Sequence, residues 1–272
     1  MSKKLSDILL ITDMDGTLLD DSKRLSEKNA NAIHHFQELG GKFAIATGRS
    51  IFAARRFIDE IGVDAPCVLC NGAVVHDIAA DKPIYVRELP DIARSYAQEL
   101  MERFPRAGAE LVKPRHVYAV RNNEYEAAHV KMCGCEAICM GLDEITDGGW
   151  LKFLFACDKE YLDEMMLYKA EKGMDEVDFV RSSDIFYEML PFNISKGTAM
   201  NEIRKLSEYK DMKFIAMGDF DNDSDMLRKA DVGCAVANAN AGAKESADII
   251  LKSSCNESAV AEVVELILGG KI

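Results

Sequence analysis

Positive charge is in short supply in this chain: 33 Lys and Arg stand against 46 Asp and Glu, a formal charge of −13 over 272 residues. Nucleic acids and anionic membranes are polyanions that select basic surfaces, so neither is an expected partner. A small anionic substrate would need a cation as mediator. Long apolar runs are missing too. None approaches the roughly 20 residues that span a bilayer, and Met1-Ser2-Lys3-Lys4 leads into a short apolar stretch rather than a signal-peptide core. Also absent is a disulfide framework. The eight cysteines lie mostly within apolar segments, which suits free thiols in a reducing cytoplasm. Cys67 and Cys70 have C-x-x-C spacing and Cys133, Cys135 and Cys139 cluster, but no second C-x-x-C or matching histidine completes four ligands, so buried thiols are the better reading. His34, His35, His76, His116 and His129 show no ligand spacing among themselves. There is no internal repeat and no low-complexity segment, and the length allows one large or two modest domains.

What is present is organised around residues 8–17, where the apolar run Ile8 to Ile11 stops at Asp13-Met14-Asp15-Gly16-Thr17. The run is too short and too continuously apolar for a surface helix and reads as a strand buried on both faces of a parallel sheet. In such sheets ligands bind beyond the carboxyl ends of the strands. Asp13 and Asp15 therefore sit where a site is expected, and two carboxylates one residue apart can share a hard cation such as Mg²⁺. The same residues also fit an acidic turn that ends a strand.

The pattern then repeats. Ser26 is placed to cap a helix carrying Ala30, Ile33, Phe36 and Leu39, and Phe43 to Ala46 is a second short strand that stops at Thr47-Gly48-Arg49-Ser50. A helix over Ile51 to Ile61 follows, so Thr47 and Gly48 precede a helix N-terminus, a natural anion site; Ser50 as a plain N-cap is the alternative. Cys67 to Cys70 reads as a third strand, ending at the turn signal Asn71-Gly72 and completing a βαβαβ order. Between Pro83 and Met189 the character changes to longer strands (Val117 to Val120, Trp150 to Ala156, Val177 to Val180, Ile185 to Met189) alternating with helices near Ile92 to Phe104, Glu124 to Met132 and Tyr161 to Lys172. Alternation along Trp150 to Phe155 predicts an antiparallel sheet with a helix-covered face, in an inserted α+β domain. The first pattern returns at Ser195-Lys196-Gly197, which opens a helix to about Glu208. The strand Phe214 to Met217 then ends at Gly218-Asp219-Phe220-Asp221-Asn222-Asp223, before further strands at Val232 to Val236 and Ile249 to Leu251 and a closing helix from Glu257 to Leu268.

If those strands are neighbours in one sheet, Asp13, Asp15, Thr47, Asp219 and Asp223 converge with Lys196, and that many carboxylates would repel one another unless a metal neutralised them. Asp13-x-Asp15-Gly16-Thr17, Thr47-Gly48-Arg49, Lys196-Gly197 and Gly218-Asp219-x-x-Asn222-Asp223, in this order, resemble the haloacid dehalogenase-like superfamily, in particular its Cof-type (IIB) sugar phosphatases; Asn71-Gly72-Ala73 and Asn238-Ala239 match as well. One departure is Ser258-Ala259, where the family commonly has Asp-Gly.

The resemblance implies an α/β fold, a doubly wound, Rossmann-like core of residues 1–82 and 190–272 with a cap at 83–189. It implies a Mg²⁺-dependent phosphatase of small phosphorylated metabolites. Asp13 would be the nucleophile and Asp15 the general acid and base, a role that asks for a raised pKa. Asp13, Asp15 through its backbone carbonyl and Asp219 would hold the metal, with Asp223 either a further ligand or an acceptor that fixes the metal's waters. Met14, Thr47, Gly48, Lys196 and Asn222 would hold the phosphoryl group. Lys113, Arg115, His116 and Lys152 are candidate readers of the leaving group, with solvated surface charge as the more ordinary role. A phosphomutase on the same core, or a non-catalytic binding protein, are the competing functions. The oligomeric state is not readable.

Overall fold

The computed structural model describes residues 4–272, so most of the Met1-Ser2-Lys3-Lys4 leader reading (Met1 to Lys3) lies outside the described residues. The chain divides into two compact units, one made of residues up to Tyr85 together with Ser195–Ile272, the other of Val86–Ile194. In chain order the elements are β1 (Ile8–Thr12), α1 (Glu27–Glu38), β2 (Lys42–Ile45), α2 (Ile51–Ile61), β3 (Cys67–Leu69), β4 (Val74–Asp77) and β5 (Lys82–Val86). There follow α3 (Ile92–Arg103), β6 (Gly108–Val112), β7 (Val117–Arg121), α4 (Glu124–Cys133), β8 (Ile138–Cys139), β9 (Lys152–Ala156), α5 (Lys159–Lys172), β10 (Val177–Ser183) and β11 (Phe186–Pro191). The chain closes with α6 (Lys196–Arg204), β12 (Lys213–Gly218), α7 (Ser224–Lys229), β13 (Val232–Ala235), α8 (Ala241–Glu245), β14 (Ile249–Ile250) and α9 (Ala259–Leu268). No helix among the described residues is long and apolar enough to cross a membrane.

In the first unit the sheet order is β14-β13-β12-β1-β2, every pair parallel. The continuous apolar run of β1 is what a strand with neighbours on both sides requires: Leu9, Leu10 and Ile11 have no solvent exposure, and each such burial contributes about 1.5–3 kcal/mol. Its register fixes the site, because Thr12 lies beside Met217 on one side and Ile45 on the other. The residues that follow these three, all at one edge of the sheet, are Asp13, Gly218-Asp219 and Ala46-Thr47.

Two expectations need correction here. The Cys67 to Cys70 strand does not extend the parallel ladder: it touches it through the single bridge Ala46–Val68 and instead pairs antiparallel with β4, in a separate sheet β3-β4-β5. The reason is local, since Cys70 and Asn71 both take positive φ (51° and 53°) and turn the chain after three residues. The helix opening at Lys196 stops at Arg204 rather than near Glu208, giving way to turns that bring in Tyr209 as a buried residue. Ser258, at the family's Asp-Gly position, is left-handed (φ 66°), a conformation that glycine adopts without steric cost.

The second unit holds a sheet of order β10-β11-β9-β6-β7-β8, antiparallel except for β7–β8. The expected helix-covered face is present, and the opposite face is covered as well. Phe153 and Phe155 pack with Leu100 of α3 and with Leu162 and Met165 of α5, while Leu154 and Ala156 are buried with Phe186 against Tyr125 and Met132 of α4. Helices thus cover both faces, and all of β9 is buried.

Candidate active site

Three neighbouring strands and one helix start deliver the polar groups. Asp13 follows β1, Asp219 follows β12, and Asp223 lies four residues on, at the end of a single 3₁₀ turn. Lys196 opens α6, whose N-cap Ser195 accepts a hydrogen bond from the Thr198 backbone N–H. The Lys196 side chain is fully buried, and its Nζ donates to Asp13 Oδ1 (2.5 Å) and Asp223 Oδ1 (2.6 Å). The other oxygen of Asp223 accepts from the backbone N–H groups of Asp219 (2.9 Å) and Phe220 (3.2 Å). Asp219 Oδ1 accepts from the Thr17 hydroxyl at 2.8 Å.

Carboxylate oxygens of Asp13, Asp219 and Asp223 lie within 4.8 Å of one another. One ammonium cannot balance three clustered carboxylates, and the imbalance shows at Asp13 and Asp219. Burial pushes the Asp13 carboxyl up to about 7, Lys196 opposing and Asp223 and Asp15 adding to the push. Burial, then the charges of Asp13 and Asp223, hold Asp219 well above the ordinary carboxylate range. Burial alone would lower the Lys196 pKa, but Asp13 and Asp223 hold it above the usual lysine value. An all-oxygen donor set with surplus negative charge fits a hard divalent cation. Gly16 belongs to this fit: its φ is +91°, and a Cβ there would stand 2.6 Å from Asp219 Oδ2.

Beside the carboxylates lies a set of donors. Thr47 is buried, and its hydroxyl oxygen accepts from the Arg49 backbone N–H (3.1 Å), which leaves the hydroxyl proton to donate elsewhere. Gly48 leads to α2, whose N-cap Ser50 makes no side-chain capping bond; the first backbone N–H groups of the helix thus keep their capacity for an anion. Asn222 Nδ2 donates to Asn71 Oδ1 at 3.0 Å. Asn71 is itself buried, and its Nδ2 has no hydrogen-bond partner. Met14 is buried, with its carbonyl accepting from the N–H groups of Leu18 and Leu19.

Asp15 departs from expectation. Its side chain is not among the clustered carboxylates. Arg49 binds it in bidentate fashion (Nε–Oδ2 2.7 Å, Nη2–Oδ1 2.8 Å) and Lys23 adds a contact at 3.0 Å. Burial would raise its pKa, but the hydrogen bonds and charge of Arg49, then Lys23, hold it well below the usual range, opposite to the raised value a general acid asks for. In the other unit, Lys113 and Lys152 are not solvated charges either: both are buried, paired with Asp147 (2.5 Å) and Glu188 (2.6 Å), whereas Arg115 and His116 are exposed. All eight cysteines are free thiols.

The sequence model of the haloacid dehalogenase-like hydrolases matches residues 10–264. The chain belongs to that family. Among curated relatives it is 26% identical to the 5-amino-6-(5-phospho-D-ribitylamino)uracil phosphatase of Bacillus subtilis, over 94% of each chain. It is 29% identical to an HMP-PP phosphatase of Yersinia pseudotuberculosis, over 84% of this chain and 82% of the relative. The fold is shared with a haloacid dehalogenase-like hydrolase from Bacteroides thetaiotaomicron (TM-score 0.81, 24% identity, 95% and 98% of the two chains covered). It is shared as well with a subclass IIB sugar phosphatase (TM-score 0.81, 19% identity, 96% and 99% covered). The enzyme class is that of a phosphatase.

For this hydrolase the fold brings together Asp13, Asp219, Asp223 and Lys196, and places Thr47 and Asn222 with Asn71. Sequence reasoning quoted Arg49 and Asn71 only as parts of motifs and overlooked what they touch. Arg49 stands two residues after Thr47, on the turn that opposes Asp15, and that spacing is the signal that could have found it.

Proposed function

We propose that this hydrolase is a Mg²⁺-dependent phosphatase of small phosphorylated metabolites, sugar phosphates foremost, that works through an aspartyl-phosphate on Asp13. The observation carrying this reading is the fully buried Lys196 held between Asp13 and Asp223, with Asp219 alongside: a nucleophile oriented by a cation, inside a carboxylate group that asks for a second one. Held by Asp13, Asp219 and the backbone carbonyl of Asp15, with Asp223 bracing the set, Mg²⁺ would supply the charge that lets a carboxylate approach a phosphate dianion.

The chain's own residues do the rest. Asp13 attacks phosphorus, the bond to the leaving oxygen breaks, and that oxygen takes a proton from Asp15. A water then attacks phosphorus, giving a proton back to Asp15 as the bond to Asp13 breaks. The Thr47 hydroxyl, the N–H groups of Gly48 and Met14, Lys196 and the amides of Asn222 and Asn71 hold the phosphoryl oxygens where charge spreads. To give a proton, Asp15 must leave its clamp on Arg49 when substrate enters. Residues 1–82 and 190–272 serve as the catalytic core and 83–189 as the cap that selects the substrate, in a cytoplasmic setting. A phosphomutase would need spare cations for a second phosphate, and the pairing of Lys113 with Asp147 and of Lys152 with Glu188 speaks against it.

The test is phosphate release from a panel of sugar phosphates, nucleotides and an aryl phosphate, with Mg²⁺ and with chelator, for the wild type and Asp13→Asn. Release that needs metal and vanishes in the variant supports the reading; release that Asp13→Asn leaves intact overturns it. The acid role has its own signature. Asp15→Asn is expected to slow hydrolysis of alkyl phosphates by about 10²–10⁴-fold, and that of p-nitrophenyl phosphate far less, since nitrophenolate leaves without a proton. Equal losses on both substrates would remove Asp15 from that role.

A further inference from the structure

A second group of titratable side chains lies wholly within the Val86–Ile194 unit. Glu110 on β6 is paired in register with Leu154, so it points to the sheet face that α4 covers. On α4, Glu126 and His129 stand three residues apart and therefore share one face of the helix. The helix can come this close because residue 108 is glycine: a Cβ there would lie 2.9 Å from Glu126 Cβ. All three side chains are buried, at 3%, 0% and 7% exposure.

Their polar atoms face each other without hydrogen bonding. His129 Nδ1 is 3.4 Å from Glu110 Oε2 and 3.7 Å from Glu126 Oε2, yet neither Nδ1 nor either carboxylate oxygen of Glu126 has a hydrogen-bond partner. A carboxylate with no exposure and no hydrogen bond, facing only the long contact of an imidazole at 3.7 Å, is costly. Room for an ion accounts for it: donors about 2.0–2.2 Å from a tetrahedral ion stand about 3.3–3.6 Å apart, against 3.4 and 3.7 Å from the imidazole here, with all three ligand atoms within 4.8 Å of one another. On its other side the imidazole places Nε2 3.3 Å from Cys133 Sγ, which fixes the ring with Nδ1 toward the carboxylates. The neighbouring Lys152 is paired with Glu188, which also accepts from the Ser182 hydroxyl.

We propose that Glu110, Glu126 and His129 form a metal site, separate from the carboxylates of Asp13, Asp219 and Asp223, that takes a zinc-type divalent ion and ties α4 to β6. One imidazole with two carboxylates is a mixed nitrogen and oxygen set that suits zinc, whereas Mg²⁺ prefers an octahedron of oxygens. Since only one histidine takes part, spacing among the histidines of the sequence carries no trace of the site.

The test uses the full chain, stripped of metal, returned to saturating Mg²⁺ and dialysed against Zn²⁺, with metal counted per chain. Wild type and Asp219→Asn are expected to hold one zinc per chain. Glu126→Gln and His129→Gln are expected to bind it more weakly by more than the about 10–100-fold that loss of a supporting residue costs. X-ray absorption on the zinc-loaded wild type, which needs no variant to fold, is expected to show one imidazole in the ligand shell. Zinc lost only in Asp219→Asn, zinc retained by both α4 variants, a shell without imidazole, or a wild type that takes up no zinc at micromolar concentration each overturns the proposal.

Discussion

Replacing Lys196 with alanine is expected to lower kcat by at least about 10²–10³-fold, the scale of losing one charged group that stabilises a transition state, and to make the stability of the variant fall as pH rises. The ammonium has no solvent exposure and is held by Asp13 and Asp223 at 2.5 and 2.6 Å. Removing one partner of such a pair leaves uncompensated buried charge and costs about 3–5 kcal/mol. The carboxylates can avoid part of that cost by taking up protons. Lys196 is the group that pulls the Asp13 pKa down against burial, so without it Asp13 stays protonated in the folded chain to higher pH than in the wild type. The unfolded chain has by then released that proton, and stability therefore declines with pH across the widened window. Urea denaturation without metal should show a modest loss at pH 5 and a large one at pH 8, with Mg²⁺ restoring part of the stability and little of the turnover. Equal losses at both pH values, or a kcat within tenfold of the wild type, would remove Lys196 from the role assigned to it.

The same contrast between charge and burial explains which parts of the molecule could be read in advance. β1, β2 and β12 are short apolar runs that end abruptly at Asp13, Thr47 and Asp219, and a strand buried on both faces has no other way to look in sequence. β6 went unread because Glu110 interrupts its apolar pattern, although that side chain is buried. β5 went unread because it is largely exposed and carries Pro83. Lys113 and Lys152 were weighed as surface charge because a lysine in a string carries no mark of its partner; Asp147 and Glu188 are 34 and 36 residues away. The Arg49 clamp on Asp15 is of the same kind. It joins residues 34 apart whose meeting depends on β1 and β2 lying side by side.

Asp13→Asn, expected to lower turnover by about 10⁴–10⁶-fold as loss of a covalent nucleophile does, should at the same time make the metal-free protein more stable. The carboxyl is held up to about 7 by burial, from 3.8 for the unperturbed group. Between those values the folded chain keeps a proton that the unfolded chain has lost, so the contribution of this group to stability falls as pH rises through the window and levels off above about 7. Asparagine does not ionise and removes that slope. Without metal, the two proteins should melt alike near pH 4, the variant should become the more stable as pH rises, and the gap should be widest above pH 7. Added Mg²⁺ should reverse the order, because on the proposed reading the wild type gains a ligand-held cation in the folded state and the variant lacks one of the carboxylates proposed to hold it. Melting curves at three pH values, with Mg²⁺ and with chelator, read all of this at once. A variant less stable than the wild type at pH 8 without metal would mean that Lys196 already satisfies Asp13, and that the surplus negative charge of the site rests on Asp219 and Asp223 instead.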